Sequence, residues 1–248
     1  MKLRQMAPAL LGALLALPTA GQAAVNVDRT RIIMGLEQKS VSIVLTNESA
    51  DTPYLAQSWI EDHEGKMTND LLALPPLQRI DAGKKAQVRI MQMSAAARAR
   101  LPQDRETLFY FNVREIPPAP KDKNASILQL TTQSQLKLFL RPGKLAERGE
   151  AAPEQVLQIR TNGQALTLKN ASPYYATVIW LGQTVKQRLP GFDAPIMLAP
   201  FSEQTLKAQL PASATELMLG NVDDYGGLRM NRYRCAAGEC VFKERISE

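Results

Sequence analysis

Apolar and polar residues alternate with period two along most of the chain, the signature of half-buried β-strands. Val41, Ile43 and Leu45 alternate with Ser40, Ser42 and Thr46, and Asn47-Glu48-Ser49 then turns the chain. Tyr54–Ile60 gives a second run, and Val88 and Ile90 alternate with Gln87 and Arg89 in another. Leu108–Val113 is apolar almost throughout, which predicts a strand covered on both faces. Only Ser94–Arg100, rich in Ala and Arg and stopped by Pro102, predicts a helix. Turn signals such as Pro75-Pro76 and Asp81-Ala82-Gly83 separate the runs. Strand patterning returns at Val156–Ile159, Leu166–Leu168, Tyr175–Trp180 and Val241–Phe242, after a polar stretch from Leu145 to Pro153. The pattern predicts an all-β protein of two immunoglobulin-like β-sandwich domains, 24–144 and 145–248, with the boundary between residues 142 and 150. No sequence repeat links the two halves.

One run is longer than the rest. From Ile127 to Leu140, Leu128, Leu130, Thr132, Ser134, Leu136, Leu138 and Leu140 fall on one face, and the other is mostly Gln, Thr and Lys. Read as a single strand, it would extend over about 45 Å, well beyond the usual five or six residues. A long edge with an apolar face is an aggregation liability unless something covers it. Either both sheets of one sandwich share this strand, or it is built to pair with another chain; the pattern is compatible with both.

The first residues change the picture of where the chain works. Lys2 and Arg4, an apolar run from Ala7 to Leu17, Pro18 and the small residues Gly21-Gln22-Ala23 predict a signal peptide, 1–23, cleaved after Ala23. The run is too short for a membrane span. About 225 of the 248 residues then form the mature chain, and removing Lys2 and Arg4 lowers the formal charge from +6 to +4. That excess is mild and has no concentrated basic stripe, so nucleic acid is not an expected partner, nor is membrane insertion. Cys235 and Cys240, separated by Ala236-Ala237-Gly238-Glu239, predict a disulfide across a hairpin. Asn-X-Ser triplets at Asn47, Asn124 and Asn170 have the form of glycan acceptors, a pattern common by chance.

Catalytic signatures are missing. With one histidine, His63, and two cysteines, the chain lacks the donors of a His- or Cys-built metal site, and no metal or cofactor is expected. There is no nucleophile elbow, phosphate loop or dinucleotide glycine pattern. His63-Glu64 lacks the second histidine of a zinc-protease motif and precedes Gly65-Lys66 in a predicted hairpin turn. No catalytic residue is assigned, and an enzyme of sandwich fold is improbable.

The motifs Ala24-Val25-Asn26-Val27-Asp28-Arg29-Thr30-Arg31, Pro53-Tyr54-Leu55-Ala56-Gln57-Ser58-Trp59-Ile60 and Leu74-Pro75-Pro76-Leu77-Gln78-Arg79-Ile80 together resemble the periplasmic pilus chaperones of the chaperone–usher pathway, and among them the P-pilus chaperone. The likeness continues in Leu101-Pro102-Gln103-Asp104-Arg105-Glu106, Leu108–Pro118 and Leu136-Lys137-Leu138-Phe139-Leu140-Arg141-Pro142. In the second half it covers Ser172–Ile179, Asp223-Asp224-Tyr225-Gly226-Gly227 and the cysteine pair.

The resemblance implies two sandwiches set in an L, or boomerang, around an interdomain cleft. It implies a non-enzymatic chaperone that binds, folds and caps pilus subunits one-to-one by donating an edge strand, then delivers them to an outer-membrane usher. Residue by residue, it places the subunit's C-terminal carboxylate on Arg31 and Lys137, and the groove-filling side chains at Leu128, Leu130 and Thr132. Glu106, Arg141 and Asp224 fall on an ion-pair network between the domains. Thr132 departs from the larger apolar residue usual there, and Lys137 has the opposite strand parity to Leu130. The short segment from Ala119 to Ser126 resembles the short-loop subfamily. The alternative is a secreted pilus subunit or adhesin, but such a subunit would normally be a single incomplete domain with a donor segment at its mature N-terminus.

Overall fold

The computed structural model describes residues 24–92, 94–120, 128–145, 152–211 and 213–246; the predicted leader, Asn124 and Ile127 lie outside them. Among the described residues no helix is long and apolar enough to cross a membrane. The chain folds as two β-sandwiches, each with its own apolar core.

Nine strands form the first: β1 (Val25–Val27), β2 (Arg31–Gly35), β3 (Ser40–Asn47), β4 (Tyr54–Asp62), β5 (Leu71–Leu74), β6 (Leu77–Ile80), β7 (Lys85–Gln92), β8 (Thr107–Ile116) and β9 (Gln133–Arg141). One sheet runs β1-β3-β7-β5 and the other β2-β9-β8-β4-β6. The alternating positions read from the sequence meet between them: Ile43, Leu45, Val88 and Ile90 are all fully buried. The helix α1 (Ala95–Arg100) begins one residue after its predicted start, because Ser94 is its cap and accepts the Ala97 N–H at 3.0 Å.

The strand expected over residues 127–140 is shorter. β9 starts at Gln133, paired with Arg114, and the last backbone bond beyond that pair runs from the Glu115 N–H to the Thr132 carbonyl at 3.1 Å. Farther out, β8 gives way to Pro117-Pro118, which have no N–H to offer and end the ladder.

The second sandwich contains β10 (Leu157–Thr161), β11 (Leu166–Asn170), β12 (Ala176–Gly182), β13 (Ile196–Leu198), β14 (Glu203–Leu206), β15 (Glu216–Val222), β16 (Leu228–Ala236) and β17 (Glu239–Arg245). They are hydrogen-bonded in one order, β13-β12-β15-β16-β17-β10-β11-β14, but β17 and β10 share only two residue pairs. The sheet bends there, and Leu166 and Leu168 from one side meet Val178, Leu217 and Tyr233 from the other in one core. Cys235 and Cys240 face each other across the β16–β17 hairpin and form the predicted disulfide. Ala237 and Gly238, both at positive φ, make its two-residue turn.

Asn47 and Asn170 correct the glycan pattern. Both side chains are fully buried. Asn47 donates to the carbonyls of Thr52 and Ile80 and accepts the Ser49 N–H. Asn170 donates to the carbonyls of Tyr174 and Ala199 and accepts the Ser172 N–H. Each closes the turn after an equivalent strand, so Asn-X-Ser followed by Pro-Tyr is a short structural repeat between the halves.

The sandwiches meet at a buried arginine. Arg141, the last residue of β9, donates from Nε to Glu106 Oε1 at 2.8 Å and from both terminal nitrogens to the Asp224 carboxylate at 2.8 and 3.0 Å. Its guanidinium also lies over the Tyr174 ring at 5.1 Å. Glu106 Oε2 accepts the Tyr175 N–H at 2.7 Å, and the Glu106 N–H donates to the Pro173 carbonyl at 2.9 Å. Phe139 packs on Tyr175, with ring centres 5.4 Å apart. Arg141→Met would leave the Glu106 carboxylate buried without its countercharge, and a loss of about 3–5 kcal/mol is expected. Denaturant unfolding checks this; a loss under about 1 kcal/mol would show that the pair is solvated.

Candidate functional site

β9 has a neighbour on both sides along only part of its length. β8 covers it from Gln133 to Leu140, whereas the parallel strand β2 reaches only from Lys137 to Arg141. The other side of Gln133–Leu136 is therefore an open edge among the described residues, and it leads back to Leu128 and Leu130, which are 84% and 76% exposed. Leu130 is not part of this protein's own core.

The two faces of β9 differ chemically. Leu138 and Leu140 belong to the core, while Lys137, Phe139 and Arg141 point to the opposite face, toward the second sandwich. Leu128 and Leu130 have the parity of the core face and continue it past the end of the sandwich. The opposite parity of Lys137 follows from this division, since the apolar and charged groups serve different faces of one strand.

Arg31 lies directly opposite Lys137, at the point where β2 begins to cover β9. Ile32 and Met34 occupy the core, so Arg31 shares the outer face with Lys137. Arg31 also reaches the second sandwich, donating from Nη1 to the Val222 carbonyl at 3.3 Å. Burial, and then the Arg31 guanidinium, hold the Lys137 ammonium group below the ordinary lysine value. Two cations at the end of an open edge can bind an anion that neither would hold as well alone.

Thr132 is placed differently from the two leucines. Its hydroxyl donates to Glu115 Oε1 at 2.6 Å, and Glu115 Oε2 accepts the Val25 N–H at 2.9 Å. A threonine here ties the start of β9 to β8 and β1, which a larger apolar residue could not do. Glu106, Arg141 and Asp224 come together as described, a few residues from the Arg31–Lys137 pair.

Four residues given no role from the sequence, Asp28, Arg29, Ile33 and Tyr225, complete the cleft. A pocket of about 440 Å³ lies against Arg31 and is lined also by Asp28, Arg29, Ile33, Arg141, Asp224 and Tyr225. Asp28 and Arg29 are paired at 2.8 Å, and the Arg29 guanidinium holds the Asp28 carboxyl below its ordinary value. A larger cavity of about 670 Å³, where β10 and β17 part, is remote from these charges and lined mainly by Gln155–Arg160 and Glu239–Phe242. His63 sits in an exposed turn, and among the described residues no His, Cys, Asp and Glu cluster is placed to hold a metal ion.

Comparison with known proteins agrees with this architecture in both halves. Residues 24–146 match the N-terminal domain of the pili and flagellar-assembly chaperone PapD, and residues 151–233 match the C-terminal domain of the pili assembly chaperone PapD. The chain is 44% identical to the fimbrial chaperone YbgP of Escherichia coli K12, over 92% of this chain and 93% of the relative. It is 38% identical to the chaperone protein PapD of Escherichia coli, over 91% and 92%. Among solved structures, the periplasmic chaperone SfaE is similar at a TM-score of 0.68 and 32% identity, covering 84% of this chain and 98% of that one. SafB of Salmonella enterica, in complex with the SafA pilin, is similar at a TM-score of 0.69 and 25% identity, over 86% and 97%. With both domains matched in order and relatives aligned over nearly the whole chain, the protein belongs to the PapD family of pilus-assembly chaperones.

Proposed function

We propose that the chain captures a pilus subunit by lending it the open edge of β9, and that the partner's C-terminal carboxylate docks on Arg31 and Lys137. The observation that carries this reading is the place where β2 begins. A partner strand laid along Leu128–Leu136 occupies the lane that β2 fills farther on, and it runs into the two cations. A partner strand laid in that lane in the same direction as β2, parallel to β9, presents its C-terminus to the cations. Leu128 and Leu130 then fill pockets in the partner, and Thr132 closes the segment on the chaperone side. Arg141, with Glu106 and Asp224, fixes the angle between domains that meet at residues 144 and 145.

The capture is non-enzymatic and needs no cofactor. It takes place in the periplasm, reached through the leader 1–23 and its cleavage after Ala23, and the subunit passes from there to an outer-membrane usher. The relatives' names support this setting, since SfaE is a periplasmic chaperone and SafB is bound to a pilin.

Lys137→Met is expected to weaken subunit capture by about one to two decades, the value of one charge-assisted hydrogen bond. The free chain should gain stability from the same change. A lysine that holds its proton less tightly folded than unfolded costs stability while charged in both states. That cost is relieved as pH rises through its lowered folded value toward the ordinary 10.5. The variant should therefore be more stable than wild type at neutral pH, by less than about 1 kcal/mol because water reaches part of the side chain. The gap should close across the alkaline window. Thermal melts at several pH values, with co-purification of a co-expressed subunit, test both effects; unchanged capture would sink the anchor.

Leu130→Glu is expected to leave the chain folded, since an exposed position tolerates substitution within about 0.5 kcal/mol. It should nevertheless abolish capture, because an unpaired carboxylate would be desolvated in the partner's groove. Leu138→Glu, in the core of the same strand, should unfold the first domain. Melting and co-purification of the pair separate edge from core; capture that survives Leu130→Glu would refute strand donation through this segment.

A further inference from the structure

Tyr225 is the most exposed large apolar or aromatic side chain among the described residues, at 93%, yet it stands on a fixed turn. On one side, Asp224 is bound to Arg141. On the other, Gly226 has φ of 87° and is pressed against Thr30, so that any side chain there would collide with the threonine hydroxyl. Asp223 organises the whole turn. Its Oδ1 accepts the N–H groups of Tyr225 at 3.0 Å and Gly227 at 2.7 Å, and its Oδ2 accepts from Arg229 Nε at 2.7 Å. The backbone of Tyr225 is thus held from three directions while its ring covers nothing in its own chain.

Tyr225 is one of the residues lining the 440 Å³ pocket beside Arg31. A carboxylate alone would leave most of this space empty, since a water-sized group takes roughly 30 Å³. Ile33, Arg29 and Arg31 line the same pocket, and flat guanidinium groups lie well against aromatic faces. The charges of Arg29 and Arg141 are already met by Asp28 and Asp224, which leaves little advantage for an acidic side chain. Arg31 both pairs with Lys137 across β2 and β9 and lines this pocket, so a terminal residue whose carboxylate sits on the two cations has the pocket, with Tyr225, within reach of its side chain.

We propose that Tyr225 selects the last side chain of the bound strand, favouring a partner whose C-terminal residue is aromatic. The inference rests on the carboxylate anchor proposed above, and one experiment tests them separately. The probe is a short synthetic peptide of alternating Thr and Val ending in Phe or Ala, each made with a free and an amidated C-terminus. Its binding to the full-length mature chaperone is measured by calorimetry. The free Phe peptide is expected to bind about two- to tenfold more tightly than the free Ala peptide, the size of one aromatic contact. Tyr225→Ala should erase that preference while leaving the Ala peptide within about twofold of wild type, and Tyr225→Phe should keep it. Amidation should weaken every peptide.

Sensitivity to amidation with no preference for Phe, or an equal loss for both peptides in Tyr225→Ala, would overturn the role of Tyr225 and leave the anchor standing. Insensitivity to amidation, or no binding of any peptide to wild type at millimolar concentration, would overturn the anchor and this inference together.

Discussion

A strand inside a sheet needs hydrogen-bonding neighbours on both sides, and β9 has both only over its last residues. This arises from the length of β2, which begins at Arg31 and so cannot reach Gln133–Leu136. The unpaired N–H and C=O groups of that stretch are wet in the free chain, so leaving them open costs little in water. They are a template for another strand all the same, and open edges of this kind are what natural sheets normally blunt. Here the exposed leucines sharpen the edge instead. Charge at its end limits what can occupy it, since two cations favour a chain terminus that carries a carboxylate and disfavour a second copy of the same basic edge.

The two groups of charges on β9 follow opposite energetic rules. Arg141 is surrounded by carboxylates and an aromatic ring, so its burial is compensated and its guanidinium joins the domains. Lys137, four residues earlier on the same face, meets another cation and loses solvent without gaining a countercharge, which lowers its proton affinity. Within one strand, one arginine contributes to the fold and one lysine works against it. A half-buried lysine beside a second cation is the setting that the anion site proposed above would use.

Much of the fold was legible in the sequence because one face of each strand is buried. Val41 to Leu45 and Val88 to Ile90 gave the right strands on the right faces, and Ser94 marked a helix start by its own chemistry. The start of β9 was not legible, because it is set by Pro117-Pro118, which lie far from it in sequence and adjoin it only through the β8 ladder. The role of Asn47 and Asn170 was not legible for a related reason. An Asn-X-Ser triplet reads alike whether the amide faces solvent or closes a buried turn, and only the carbonyls of Ile80 and Ala199, from distant strands, decide it. Arg29 and Tyr225 could not be placed in one pocket from sequence because its walls come from both domains, nearly two hundred residues apart. The motif Asp223-Asp224-Tyr225-Gly226-Gly227 was visible, but its geometry gives the tyrosine a setting that the motif alone does not show.

The arrangement also separates affinity from selectivity. Main-chain pairing along Gln133–Leu136 is available to any extended chain, and a carboxylate terminates every unmodified polypeptide, so neither feature distinguishes one partner from another. In the proposed mode they would together make capture general for strands that end where β2 begins, because only that length would bring the terminus to Arg31 and Lys137 while the edge is paired. Discrimination must then come from side chains, which lie at the two ends of the lane. At the far end, Leu128 and Leu130 require a groove deep enough to take them. At the near end, in the mode proposed above, the partner's last residue would meet the pocket beside Tyr225. A strand that satisfies the edge and the cations but neither end is held by contacts common to every chain, and it yields to one whose side chains fit both.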